Sequence, residues 1–256
     1  MDRTSVKAVV TGGVSGLGFA VARRLLADGA RVALFDVNAD KGEQAVAELG
    51  ADSTRFFSVD VTSESAVTEA INAATDWLGG LNVAVNCAGI LGAGRVLGRQ
   101  GPMPLARFRD TVMVNLVGSF NVAKTAAERM ATGEPGVDGE RGVIIHTASV
   151  AAFEGQIGQA AYAASKGGVA GMTLPMAREF ARIGVRVMTI APGIFHTPMV
   201  DIMPESVQQA LGESIPFPKR LGQAQEFADL VAHIIENRYF NGSVIRLDGA
   251  VRLEPK

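Results

Sequence analysis

Thr11-Gly12-Gly13-Val14-Ser15-Gly16-Leu17-Gly18 follows a short strand, Val6–Val10, and runs into apolar residues at helical spacing from Gly18 to Asp28. A buried strand that turns through glycines into a helix is a phosphate cradle. With no side chains at Gly12, Gly16 and Gly18, backbone can approach a pyrophosphate, and the helix adds free N–H groups and its positive end. Ser15 and Leu17 share this turn and are expected beside the cofactor. The spacing is Gly-x-x-x-Gly-x-Gly, not the commoner Gly-x-Gly-x-x-Gly. Alone it is a weak signal, with a plain tight turn as the alternative, and its context strengthens it.

That context is a second strand, Arg31–Phe35, closed by Asp36 eighteen residues after Gly18. A carboxylate there accepts hydrogen bonds from both adenosine ribose hydroxyls and repels a 2'-phosphate, which favours NAD over NADP. Arg31 opens that strand rather than ending it and Lys41 lies several residues past Asp36, so neither makes a convincing partner for a 2'-phosphate. Asp60, at the end of the third strand, is placed to reach the adenine amine, and Val61 to pack on the ring. The plainer alternatives are a strand-end cap for Asp36 and a turn carboxylate for Asp60.

Working outward, Ala39–Leu49 reads as helix and Thr54–Val59 as strand. Ser65–Leu78 reads as helix, capped by Thr62 or Ser63, and Asn82–Asn86 as the fourth strand. Repeated βα units with near-continuous apolar strands predict a parallel sheet covered on both faces. The second half continues with helix Phe108–Met130, strand Val143–Thr147, helix Ala161–Phe180, and strands Val185–Ile190 and Ser243–Leu247. Pro175 should bend or break its helix. Gly92–Pro104 and Gly133–Arg141 read as loops. The expectation is one α/β domain over residues 1–256, a doubly wound three-layer sandwich of Rossmann type.

A chain of 256 residues with net charge -2 gives no electrostatic reason to expect nucleic acid or a membrane as partner. Cys87 is the only cysteine, which precludes an intramolecular disulfide and fits a reducing compartment. The N-terminus runs straight into a strand with no room for a signal peptide, and no apolar run approaches the ~20 residues of a membrane span. A cytoplasmic protein is expected. Three widely separated histidines offer no metal-ligand spacing.

Asn86-Cys87-Ala88-Gly89 ends the fourth strand. Small Ala88 and Gly89 let the chain pass close to the cofactor, with Asn86 beside them and Cys87 as a small buried side chain. Tyr162 and Lys166 stand four residues apart on one helix face, after a strand that ends near Ser149. Interconverting an alcohol and a carbonyl needs a hydride partner, which nicotinamide supplies, and a proton partner. Tyr162 can be that partner if its phenolic pKa is lowered, and a nearby ammonium, Lys166, would lower it. Lys166 could also hold the nicotinamide ribose. Ser149 can stabilise charge on the substrate oxygen. Asn115, polar amid apolar neighbours in a helix, suggests a structural water or backbone bond at the head of a proton path.

With these motifs in place, the chain resembles the short-chain dehydrogenase/reductase family over nearly its whole length. The glycine turn matches that family's cofactor motif. Asn86–Gly89 matches its Asn-Asn-Ala-Gly motif with Cys87 as the departure, and Asn115, Ser149, Tyr162 and Lys166 match its catalytic tetrad. Pro192 and Gly193, with Ile194 and Thr197 beyond, resemble the segment that closes over nicotinamide. The resemblance implies a seven-stranded sheet, a variable substrate lid around 193–215 and a homotetramer. Within the family, GVIIHTASVAAFEGQIGQAAYAASKGG and NGSVIRLDGAVR are similar to enzymes that oxidise the 3-hydroxyl of short or branched acyl-CoA thioesters with NAD. Many such enzymes also accept steroids, so a hydroxysteroid or other secondary alcohol stays open as substrate. Apolar Ile194, Phe195 and Met199 in the lid would suit either. His146 stands where these relatives often carry asparagine and is expected to be a buried structural histidine, with a proton shuttle as the alternative. Gln159 either contacts the thioester or serves as a core polar group.

Overall fold

The computed structural model describes residues 1–201 and 203–255, and of Met199 the backbone alone. The expected role of the Met199 side chain in the lid therefore lies outside the described residues.

Seven parallel strands form one sheet: β1 (Lys7–Thr11), β2 (Arg31–Asp36), β3 (Thr54–Ser58), β4 (Val83–Asn86), β7 (Gly142–Thr147), β8 (Val185–Pro192) and β9 (Val244–Leu247). Their spatial order is β3-β2-β1-β4-β7-β8-β9. Both faces must be covered because the strands are apolar on both sides: Ala8, Val9 and Val10 of β1 are all fully buried. One face packs on α1 (Gly16–Ala27), α2 (Ala39–Leu49) and α9 (Ala224–Glu236). The other packs on α3 (Glu64–Leu78), α5 (Gly118–Ala131) and α6 (Ala160–Phe180). The chain turns from β1 outward to β2 on one side and to β4 on the other, so a crevice opens at the carboxyl ends of β1 and β4.

Several local expectations need correction. The Gly92–Pro104 loop holds a small antiparallel pair, β5 (Leu97–Gly98) and β6 (Gly101–Pro102). The long helix runs as α4 (Leu105–Val112) into α5 through a widened π-helical turn at Met113–Val117. Pro175 does not break α6. It forfeits the bond to the Gly171 carbonyl, but both residues are exposed and water can take that carbonyl's free lone pairs. Buried Thr173, Met176 and Ala177 hold the helix on either side of it.

Among the described residues, three further α-helices lie beyond those read from sequence: α7 (Pro198–Asp201), α8 (Glu205–Glu213) and α9. The last carries a legible signal. Gln223 and Glu226 form a capping box, and Phe227, Ala228, Val231, Ile234 and Ile235 are buried at helical spacing. Of the two candidate caps for α3, Ser63 is the one used: its side chain accepts from Ala66 N at 3.3 Å.

Candidate active site

A cavity of about 620 Å³ lies along the carboxyl ends of the strands. Every residue expected at the cofactor or substrate lines it except Asn86 and Asn115. At one end are Asp36, Asp60 and Val61; at the other, Ser149, Tyr162 and Lys166; between them runs the glycine turn.

The turn is built for close approach. Gly12 and Gly16 have φ of 62° and 52°, the left-handed region that favours glycine. A Cβ on Gly18 would lie 2.3 Å from the Gly12 carbonyl oxygen, so the helix can start this close to the strand only with glycine there. Ser15 precedes α1 without capping it through its side chain, which leaves the first-turn N–H groups free for an anion. Thr11 is a residue the sequence reading misses: its Oγ1 accepts from both Cys87 N and Ala88 N at 3.1 Å, tying β1 to the turn after β4. Asp36 accepts from Asn38 N through Oδ1 at 3.1 Å. Asp60 Oδ1 is taken by Thr62 N and Thr62 Oγ1, at 2.9 and 2.7 Å. Each carboxylate thus shapes its own turn through one oxygen while lining the cavity. An uncapped helix N-terminus, a glycine bed and a carboxylate at the end of β2 are the donor and acceptor set that a nicotinamide dinucleotide requires.

Asn86, expected at the cofactor, turns away from the cavity. Its Nδ2 donates to Ser119 O at 3.3 Å and lies 3.1 Å from His146 Nδ1. Asn115, expected at the head of a proton path, is also out of the cavity and fully buried. Its Oδ1 accepts from Ile90 N at 2.8 Å, and its Nδ2 donates to Ile90 O at 2.9 Å and to Ser165 Oγ at 3.0 Å. Both ends of the amide are therefore engaged in fixing the chain that follows Gly89. The widened turn in the helix is what carries Asn115 into this position.

In the reactive group, Ser149 Oγ accepts from Ala151 N at 3.1 Å. Lys166 Nζ donates to Thr147 O at 2.7 Å and stands 5.8 Å from the centre of the Tyr162 ring. Burial pushes Lys166 down to about 8, against an opposing effect of Cys87. Burial also raises the Tyr162 phenol, and the Ser149 hydroxyl partly reverses this. In this arrangement the Lys166 ammonium is itself desolvated and gives its bond to the Thr147 carbonyl. Burial lifts the Cys87 thiol to about 11, which makes it a poor nucleophile. His146 is fully buried, and burial, with Lys166 nearby, pushes it down to about 4.

Gln159 lines the cavity and is tied to its neighbour: its Oε1 accepts from Gln156 N at 3.0 Å. Gln156 and Leu253 also line the cavity and escape the sequence reading. One sits in an irregular loop and the other in the C-terminal segment, where no periodicity or motif marks them.

Comparison with known proteins fits this geometry. Residues 6–208 match the family model described as short chain dehydrogenase. The human 3-hydroxyacyl-CoA dehydrogenase type-2 is 52% identical over 250 residues, covering 97% of this chain and 95% of that protein. The ipsdienol dehydrogenase of Ips pini is 37% identical over 247 residues, covering 95% and 96%. The crystal structure of 3-hydroxyacyl-CoA dehydrogenase type-2 from Mycobacterium avium superposes with a TM-score of 0.94 at 46% identity, covering 98% of each chain.

Proposed function

The chain belongs to the short-chain dehydrogenase family of nicotinamide-dependent oxidoreductases, and on that premise we propose that it interconverts the 3-hydroxyl and 3-keto groups of short or branched acyl-CoA with NAD. The observation that carries the chemistry is the meeting of Ser149, Tyr162 and Lys166 at one end of a cleft whose other end holds Asp36. The acyl-CoA assignment is supported by the names of the relatives that are about half identical over almost the whole chain.

Bound nicotinamide supplies the hydride acceptor for oxidation and the donor for reduction. Ser149 Oγ, oriented by the Ala151 N–H, meets the substrate oxygen and steadies the charge on it. During reduction Tyr162 gives its phenolic proton to the carbonyl oxygen; during oxidation it acts as the phenolate, taking the hydroxyl proton after its own has passed outward by way of Lys166. Lys166, brought near neutrality by burial, exchanges protons near pH 8 more readily than an exposed lysine would. Asn115 positions Gly89 and Ile90 against the cofactor. Asp36 selects NAD by accepting from the adenosine ribose and repelling a 2'-phosphate.

A second reading, an NAD-dependent hydroxysteroid or other secondary-alcohol dehydrogenase, uses the same groups. It is favoured by the apolar Ile194, Phe195 and Leu211 in the cavity wall and by the ipsdienol dehydrogenase relative. We also propose a cytoplasmic homotetramer. Leu105, Phe108, Val117 and Phe120 leave exposed apolar surface along α4 and α5 that subunit pairing would cover. Among the described residues no helix is long and apolar enough to cross a membrane.

The deciding experiment compares oxidation of 3-hydroxybutyryl-CoA, 2-methyl-3-hydroxybutyryl-CoA and a 17β-hydroxysteroid by the purified protein, with NAD and with NADP. The expected result is a large kcat/KM advantage for a thioester with NAD. A steroid advantage would move the assignment to the second reading, and an NADP preference would overturn the role of Asp36.

A further inference from the structure

The chain beyond β9 does not trail into solvent. It turns at Asp248–Val251, with Ala250 at φ 66°, and runs back over the loop between Ser149 and Tyr162. Two hydrogen bonds dock it there: Gln156 Nε2 donates to Glu254 O at 3.0 Å, and Ile157 N donates to Pro255 O at 2.9 Å. Arg246 anchors its start. The guanidinium holds Glu154 with two bonds of 2.7 and 2.9 Å, Asp248 at 2.7 Å and the Val251 carbonyl at 3.1 Å. Two-pronged arginine–carboxylate pairs of this kind fix orientation as well as attraction. Arg252 adds a bond to Asp248 at 3.2 Å. Between these two anchorages the half-buried Leu253 side chain faces the cavity.

We propose that residues 251–255 form a fixed strap across the substrate end of the cleft, and that Leu253 limits the length of the apolar arm a substrate can carry. The strap belongs to the substrate end because it docks on the loop carrying Gln156 and Gln159, which lies between Ser149 and Tyr162 in the chain. The adenosine end is walled instead by Asp36, Asp60 and Val61. The loop and strap hold one another, since Gln159 is bonded to Gln156, which is bonded to the strap. A side chain so held acts as a stop and does not yield to a longer chain. This inference rests on the dehydrogenase reading given above for the same site, and it assigns the residue that sets chain-length selectivity.

The test measures NADH-dependent reduction of four- and ten-carbon 3-oxoacyl-CoA, and of 2-butanone and 2-decanone, by the wild type, Leu253→Ala and Leu253→Trp. A change of even one methylene in an apolar pocket shifts selectivity by about tenfold or more. Leu253→Ala should therefore raise the long-to-short ratio of kcat/KM by about tenfold or more. Leu253→Trp should lower it, with thermal midpoints near that of the wild type. A merely structural role would move both variants in the same direction. If the wild type reduces the thioesters but the ratio is the same in all three proteins, the strap fails and the acyl-CoA reading stands. If it reduces only the alkanones and the ratios move as stated, the acyl-CoA reading fails and the strap stands. Silence on both series would overturn both, because no substrate arm would then occupy the pocket.

Discussion

Replacing His146 by asparagine should flatten part of the acid limb of this protein's stability curve. The imidazole lies on β7 between Asn86 of β4 and Thr189 of β8 and is fully buried. Its Nδ1 is 3.1 Å from the Asn86 amide nitrogen, which can only donate, so the ring proton sits on Nε2, an atom with no partner among the described residues. Burial holds the folded ring at about 4 against an ordinary value of 6.5. Between those two values the unfolded chain binds a proton that the folded chain refuses, so stability must fall as pH falls through this window. The full difference corresponds to about 3 kcal/mol, of which about 2 kcal/mol is already lost at about pH 5 relative to about pH 7.5. Asparagine keeps an acceptor for Asn86 and removes the titrating ring. Urea unfolding of both proteins at these two pH values, at one protein concentration, measures the difference. Carboxylates add acid sensitivity to both proteins alike and cancel in the comparison. The wild type should lose about 2 kcal/mol more than His146→Asn on acidification. Equal losses in the two proteins would show that the ring is not held neutral by burial, and the reasoning would be refuted.

Other outcomes follow from the same structure. Tyr162→Phe should reduce kcat by about a hundredfold to ten-thousandfold while NADH affinity, read by fluorescence titration, changes little. Asp36→Ala should raise the NADP-to-NAD ratio of kcat/KM by about tenfold or more, because the lost charge-assisted bonds are worth about 1.5–3 kcal/mol. Arg186 is buried and its guanidinium satisfies Glu140 and the carbonyls of Ile234, Ile235 and Phe240. Arg186→Met should cost about 1.5–3 kcal/mol in urea unfolding, the worth of its lost charge-assisted bonds, because the Met1 ammonium and Arg238 still hold Glu140 and the Met1 ammonium still meets the Ile235 carbonyl; a loss below about 0.5 kcal/mol would argue that water replaces it.

The chain is legible wherever the chemistry is local. The strand from Lys7 to Thr11, its glycine turn and the start of α1 depend on neighbours within a few residues, and so does the carboxylate that closes β2. Tyr162 and Lys166 fall on one face of α6 because helical geometry places residues four apart together. The capping box and apolar spacing of α9 are local signals too, although the sequence reading passes over that helix. The fold class follows from these pieces because buried parallel strands require helices on both faces.

Directions and distant neighbours are a different matter. No local rule says that Asn86 turns from the cavity toward Ser119, or that the amide of Asn115 is taken at both ends by Ile90 and Ser165. Nor does one say that Lys166 gives its bond to Thr147 and leaves the phenol of Tyr162 raised. Each of these choices is made when the sheet closes and groups far apart in sequence compete for the same few partners in a desolvated interior. The C-terminal segment is the plainest instance. Leu253 carries no motif and lies in no periodic element, yet the pairing of Arg246 with Glu154 and of Gln156 with Glu254 brings it to the cavity. Sequence alone determined the sheet, the cradle and the proton-transfer pair, because short-range geometry specifies them. Only the tertiary structure decided the walls of the pocket and the protonation of its groups, because packing and burial depend on the whole chain at once.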